Sequence, residues 1–325
     1  WSLYDGVYYG NIAQWLKYAN SLKLRLAMRL TEVKPELAQA KASEAIAGGV
    51  ITTNADNAAM HAAENRTTLI YNDWGDHRVG ADILCYMTGY NDPRVEKMFL
   101  PNDVGNYVGI RIGIDVAGKA TAMTKYSNLI VESTTPYLWF NAAEATFLRA
   151  EYELRWGSEE TAQSLYEQAI RLSFEERGAS GADAYVADGT SRPAAYTDPL
   201  GMYSAAAQST ITIAWAPGAD NFEENLERII TQKWIAIFPL GVEAWSEHRR
   251  TGYPRLMPVV ADKSGGGVDV AQGARRLPYP VEEYQQNNAN LQAAIQQLDA
   301  EQTNGNRTGD QMGTRVWWDC KPYNN

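Results

Sequence analysis

From Ile12 to Leu30 the apolar side chains Trp15, Leu16, Leu22, Leu26 and Leu30 recur at the spacing of one helix face, with Lys17, Lys23, Arg25 and Arg29 between them. Pro35 then opens a second helix, Glu36 to Ala47. Its Ala38, Ala42 and Ala45 form a small-residue stripe, and Gly48-Gly49 stop it. Small residues on one face let two helices approach closely, so the pattern predicts a helical hairpin. It returns from Asn141 to Glu176. Asn141 can cap a helix carrying Ala145, Leu148 and Tyr152, and after Gly157 the side chain of Ser158 can cap another with Ala162, Tyr166 and Ala169. A third helical stretch runs from Phe222 to Phe238, followed after Pro239-Leu240-Gly241 by Val242 to Arg250.

The Ala162/Tyr166/Ala169 spacing, with Ala150 twelve positions before Ala162, resembles the latter part of the tetratricopeptide pattern. Long irregular stretches rich in Gly, Pro, Asn and Thr separate the helices: Ile51 to Pro136, Gly178 to Asp220, and Pro254 to Asn325. Loops of this length are usually functional or wrap a core. Alternation at Thr210-Ile211-Thr212-Ile213 predicts a short strand. The expected fold is mainly α: tetratricopeptide-like hairpins decorated by long irregular loops with a few short strands, in one domain over residues 1–325.

Composition narrows the function. Lys and Arg number 29 against 39 Asp and Glu, a net charge of -10. The acidic balance and the lack of clustered basic residues argue against gripping nucleic acid or an anionic membrane as the main activity. The densest apolar run, Trp234 to Phe238, is far short of the ~20 residues that span a bilayer. Cys85 and Cys320 have no zinc-ligand spacing; they read as inert buried thiols or as a long-range disulfide. The aromatics are skewed, with ten Trp and nineteen Tyr against six Phe, which hints at half-wet stacking surfaces rather than a dry core alone.

Catalytic constellations fail to assemble. A glycosidase needs two carboxyl groups about 5 to 9.5 Å apart. Glu243 and Glu247 lie one helical turn apart, but with Arg249 and Arg250 beside them they read as an ion-pair network. Asp73 and Asp76 flank Gly75, where Asp is a turn former. His61, His77 and His248 are too dispersed for a metal site, and no GxSxG, HExxH, P-loop or DxDxDG motif occurs. The expectation is no enzyme, no cofactor and no metal.

Seven segments in order carry a family resemblance. They are Trp15 through Arg29, Asn91-Asp92-Pro93-Arg94, Ala143 through Glu151, Gln232 through Ala236, Glu243 through Pro254, Arg275 through Pro280, and Val316-Trp317-Trp318-Asp319. Together they resemble the SusD/RagB-like family of outer-membrane nutrient-binding lipoproteins, more particularly its second subgroup. The resemblance implies tetratricopeptide-like hairpins supporting ligand-binding loops. It also implies a lipid-anchored position on the surface of a Gram-negative bacterium, as lid of a SusC-like TonB-dependent transporter. The ligand would be an oligosaccharide or, in some members, a peptide. Membership further implies a lipidated N-terminal part that is missing here, since the chain opens Trp1-Ser2-Leu3-Tyr4. A competing reading is a helical-repeat adaptor whose exposed aromatics form a protein interface.

Asn20, Arg25, Arg29, Glu144, Glu151, Glu247, Arg249 and Arg250 sit on otherwise apolar helices, and are expected to pair with one another or cap loops. Trp234, Trp245, Trp317 and Trp318 are expected to pack or brace the C-terminal segment. Ligand contacts should therefore come from the loops. A sugar presents C–H faces to aromatic planes and hydroxyls to fork-shaped donors and acceptors. The stretch from Tyr71 to Arg78 meets that need most densely, through Tyr71, Asn72, Trp74, Asp76 and Arg78. Further candidates are Tyr86 and Tyr90 on the following helix, and Asn106 and Tyr107 in the next Gly-rich loop. For each, packing or a plain surface turn is the alternative.

Overall fold

In the computed structural model, which describes residues 2–301 and 308–321, the first hairpin forms as α1 (Ile12–Met28) and α2 (Pro35–Ala47). Asn11 caps α1, its side chain accepting from the backbone N–H of Ala13 and Gln14. Pro35 occupies the first turn of α2, where a missing N–H costs nothing. Ala38, Ala42 and Ala45 are wholly buried, so the small-residue stripe is the packed face. Asn20 of α1 donates to the carbonyls of Gly48 and Gly49 at 2.7 and 3.0 Å, tying down the end of α2.

The long segment after α2 is folded into short pieces. β1 (Ala58–Met60), α3 (Ala81–Gly89), α4 (Val95–Met98), β2 (Phe99–Leu100), α5 (Lys119–Lys125), β3 (Asn128–Leu129) and β4 (Tyr137–Phe140) follow in order. β1 pairs antiparallel with β4 and β2 with β3, giving two two-stranded ribbons. The second hairpin is α6 (Ala142–Trp156) and α7 (Glu159–Arg177), capped by Asn141 and Ser158 as their positions predict. α8 (Ala182–Val186), α9 (Phe222–Ala236), α10 (Gly241–Thr251), α11 (Val281–Gln286) and α12 (Asn288–Ala300) complete the α-helices among the described residues.

The predicted strand at Thr210 to Ile213 does not form. Ile211 and Ile213 are buried, but their carbonyls are taken by tyrosine hydroxyls: Tyr90 donates to Ile211 at 3.1 Å and Tyr166 to Ile213 at 2.7 Å. Alternation here reflects an extended segment pinned to helices by side chains, with no strand beside it.

Two apolar clusters form the core. One joins α3, α6, α7 and α9 through Met87, Phe147, Tyr166, Phe174 and Ile230; the other joins α1, α2 and α6 through Leu24, Met28, Ala42, Phe140 and Leu148. A buried ionic network ties α1, α6, α9 and α10 together. Arg25 grips Glu144 with two 2.7 Å bonds, and Arg29 reaches Glu243 at 2.6 Å and Glu247 at 2.8 Å. Arg250 makes paired bonds to Glu151 at 2.6 and 2.7 Å and to Glu247 at 2.9 and 2.7 Å, while Lys233 also pairs with Glu247. Burial alone would raise the Glu151 carboxyl, but Arg250 and Arg155 beside it bring it down to about 2. Burial outweighs the neighbouring cations at Glu243, whose carboxyl is raised. The Glu243/Glu247 pair is thus part of an ion-pair network, as the neighbouring arginines predict. Cys85 and Cys320 are both free, and burial pushes the Cys85 thiol up to about 12.

Candidate functional site

The densest predicted segment lies on a π-type turn, Leu69–Asp73, closed by the N–H of Trp74 donating to the Leu69 carbonyl at 2.7 Å. Two amides clamp the turn to the body. Asn72 donates to the Val131 carbonyl and Asn128 donates to the Tyr71 carbonyl, each at 3.1 Å. Tyr71 is half-buried against the core, its ring centroid 5.9 Å from that of His77, and burial raises its hydroxyl pKa. With Tyr71 turned inward, Trp74 is left outward at 56% exposure.

Gly75 follows in the left-handed region, φ 65°, with Met123 of α5 packed so close that a Cβ would come within 3.0 Å of its terminal methyl. Asp76 is exposed and pairs with Lys119 of α5 at 2.8 Å. Arg78 donates from Nη1 to the His77 carbonyl at 2.6 Å, while its Nε is buried with no hydrogen-bond partner among the described residues. Burial lowers its pKa.

The loop holding Asn106 meets the other end of the same helix. Asn102 organises it, its Oδ1 accepting from the N–H of Asn106 at 2.9 Å and of Val104 at 3.2 Å. Asn102 also donates to the Lys125 carbonyl at 3.0 Å, and the Asp103 N–H donates to the Thr124 carbonyl at 3.2 Å. A cavity of about 400 Å³ opens there, lined by Asp103, Asn106, Thr124, Lys125 and Thr197 among others. α5 therefore joins the Trp74 turn, at Lys119 and Met123, to the Asn106 cavity at Thr124 and Lys125. These anchor points span roughly 9 Å of helix. The turn that bears the exposed indole and this cleft, whose lining mixes Asn, Asp, Thr and Lys with Val104, Val108 and Pro199, both pack on α5, and together they offer the apolar and hydrogen-bonding surfaces that a sugar ring uses. Tyr107 is half-buried against the core, and burial, with Glu96 nearby, raises its pKa.

Tyr86 and Tyr90 need correction as ligand platforms. Each is only 2% exposed, with the Tyr86 hydroxyl donating to the Arg255 carbonyl at 2.9 Å and its ring edge-on to Trp234 at 5.6 Å. Their four-residue spacing puts both rings on the face of α3 that packs on Trp234 and Tyr185, away from the exposed side at Thr88. Trp245 and Trp318 brace the C-terminal segment: Arg249 lies 3.7 Å over one ring and 4.7 Å over the other, and Trp245 donates to the Ala274 carbonyl at 2.9 Å. Trp317, 47% exposed, does not share that burial.

Lys119, Met123, Thr124, Lys125 and Thr197 are the surroundings that sequence reasoning missed. KATAMTK has no apolar period long enough to announce a helix, and Thr197 reaches the cleft only through tertiary folding. Among the described residues, no three His, Cys, Asp or Glu side chains are grouped to hold a metal ion, and no helix is long and apolar enough to cross a membrane.

A family model described as SusD-like, the SusD and RagB outer membrane lipoproteins, matches residues 2–319. Among curated proteins there is no significant match. Solved structures are similar over nearly the whole chain. A SusD homologue from Bacteroides thetaiotaomicron is 51% identical with a TM-score of 0.94, over 98% of this chain and 68% of that one. Another, from Bacteroides uniformis, is 44% identical with a TM-score of 0.90, over 99% and 68%. A chitin-binding SusD homologue from Flavobacterium johnsoniae is 40% identical with a TM-score of 0.91, over 99% and 67%.

Proposed function

Because the chain belongs to the SusD-like family of outer-membrane lipoproteins, we propose that it captures an oligosaccharide at the cell surface and passes it to a TonB-dependent transporter, binding its ligand without turning it over. One observation carries the reading: the indole of Trp74, the largest aromatic plane of the candidate segment, stays 56% exposed on a turn that shares α5 with the cleft bearing Asp103, Asn106, Thr124 and Lys125. An exposed aromatic plane on a well-anchored backbone is what stacking against a sugar face requires. In this reading the ring stacks on a sugar face, while Asn106, Asp103, Thr124 and Lys125 take its hydroxyls. The chitin-binding relative makes β-linked amino sugars the first ligands to try.

Titration calorimetry with chito-oligosaccharides, other neutral oligosaccharides and mixed peptides tests it. Saccharide binding that weakens in Trp74→Ala is expected. Binding to peptides alone, or saccharide affinity indifferent to Trp74, overturns it. Co-purification of the membrane-anchored protein with a TonB-dependent transporter tests the partnership separately.

A further inference from the structure

A second cavity, of about 650 Å³, opens between segment 207–212 and α9, and its chemistry is ionic. Arg192, Arg228 and Arg255 line it together with Glu224 and Glu227. It shares no residue with the Trp74 turn, the 102–106 loop or α5. No aromatic side chain lines it, so a neutral sugar ring has nothing to stack on.

Its charges do not cancel. Glu227 is buried and already engaged, accepting from the Ser209 hydroxyl and from Arg255 Nε at 3.4 Å. Glu224 is exposed and reaches Arg228 only at 3.4 Å. Arg228 is 5% exposed; its Nη1 donates to Asn225 at 3.0 Å and its Nη2 to the Thr212 hydroxyl at 3.2 Å. Its Nε is buried with no hydrogen-bond partner among the described residues. An orphaned N–H on a buried cation is costly, and it leaves this guanidinium with unused hydrogen-bonding capacity next to the cavity. Arg192 is exposed and makes no ion pair among the described residues. In a chain of net charge -10, three guanidinium groups against two carboxylates leave this cavity one positive charge in excess, opposite in sign to the chain as a whole, and so favour an anion there.

The geometry points to a subsite for an acidic sugar residue, a uronic acid whose carboxylate is held by the arginines and whose ring hydroxyls meet Thr210 and Gln208. Guanidinium forks match planar carboxylates, and the surrounding hydroxyls and amide match a sugar's remaining edge. The ligand class rests on the glycan-binding reading above; the residues do not.

Calorimetry with tetragalacturonate, chitotetraose and a sulfated neutral-backbone tetrasaccharide, at low and physiological salt, tests the subsite. Tetragalacturonate should bind, weaken as salt rises, and lose about tenfold in affinity in Arg192→Gln and in Arg255→Gln. Chitotetraose affinity should not change in either variant. Arg192 is exposed, so its variant does not threaten the fold. Unchanged tetragalacturonate affinity in both variants overturns the subsite, and tighter binding of the sulfated ligand overturns its assignment to carboxylate. If chitotetraose binds through Trp74 while tetragalacturonate does not bind, only the subsite falls. If tetragalacturonate binds through the arginines while no neutral saccharide binds, the subsite stands and the Trp74 reading falls.

Discussion

The Arg250 network and the Trp74 turn are built from the same kinds of residue and reach opposite ends. Around Arg250, each carboxylate meets a guanidinium or ammonium in paired bonds, with Glu144, Glu151 and Arg250 wholly buried. Around Trp74, backbone and amide groups are pinned but the charged and aromatic tips are not: Asp76 makes one exposed contact, and the indole faces outward. Reciprocal satisfaction marks residues that hold helices together. A rigidly seated backbone carrying an unsatisfied side chain marks a surface prepared for something else.

The comparison breaks first at Arg250. Replacing it by Ala leaves Glu151 and Glu247 buried without their cation and should cost about 3–5 kcal/mol, read from denaturant unfolding or from failure to fold. A cost under about 1 kcal/mol would mean the network is ornamental. Acid should act on the same region. His248 is half-buried, and desolvation with Arg275 nearby lowers its pKa from the usual 6.5 to about 4, so it is neutral in the fold at neutral pH. Its contribution is complete above pH ~6.5 and is lost as pH falls toward 4, up to ~3 kcal/mol. Glu151, lowered to about 2, acts in the same direction below pH ~4.5. Stability measured from pH 7 to 4 should therefore fall, and His248→Gln should flatten the upper part of that fall.

At the other region the effects move from stability to binding. Trp74→Ala should weaken oligosaccharide affinity about tenfold, ~1.4 kcal/mol, by calorimetry. Its unfolding midpoint should shift by no more than about 0.5 kcal/mol in stability. Smallest of all, Asp76→Asn removes an exposed ion pair with Lys119 and should change stability by under about 0.5 kcal/mol. A large loss of stability in either variant would place the turn in the framework.

Legibility followed the same division. Helices α1, α2, α6, α7, α9 and α10 could be read because apolar spacing, caps at Asn141 and Ser158, and stops at Gly48 and Gly157 are local signals. The framework polar residues were readable too, since charges on an apolar face must find partners, as Arg25, Glu144, Glu151 and Arg250 do. What failed was inference across distance. The extended run at Ile211 and Ile213 finds tyrosine hydroxyls where alternation suggested a strand, and Tyr86 and Tyr90 face a core whose other wall lies more than a hundred residues away. Trp74 was identifiable as a candidate, but α5, which seats it through Gly75 and Met123, carries no pattern that would have joined them.

The uneven burial of the tryptophans gives the protein a built-in optical probe. Trp74 and Trp317 are the exposed indoles among the described residues, whereas Trp15, Trp139, Trp156, Trp215, Trp234, Trp245 and Trp318 are shielded to differing degrees. A collisional quencher such as acrylamide should thus extinguish a red-shifted minority of the emission, and Trp74→Ala should reduce that fraction. Ligand seated on the indole would protect that emission, so occupancy could be followed in native protein by light alone.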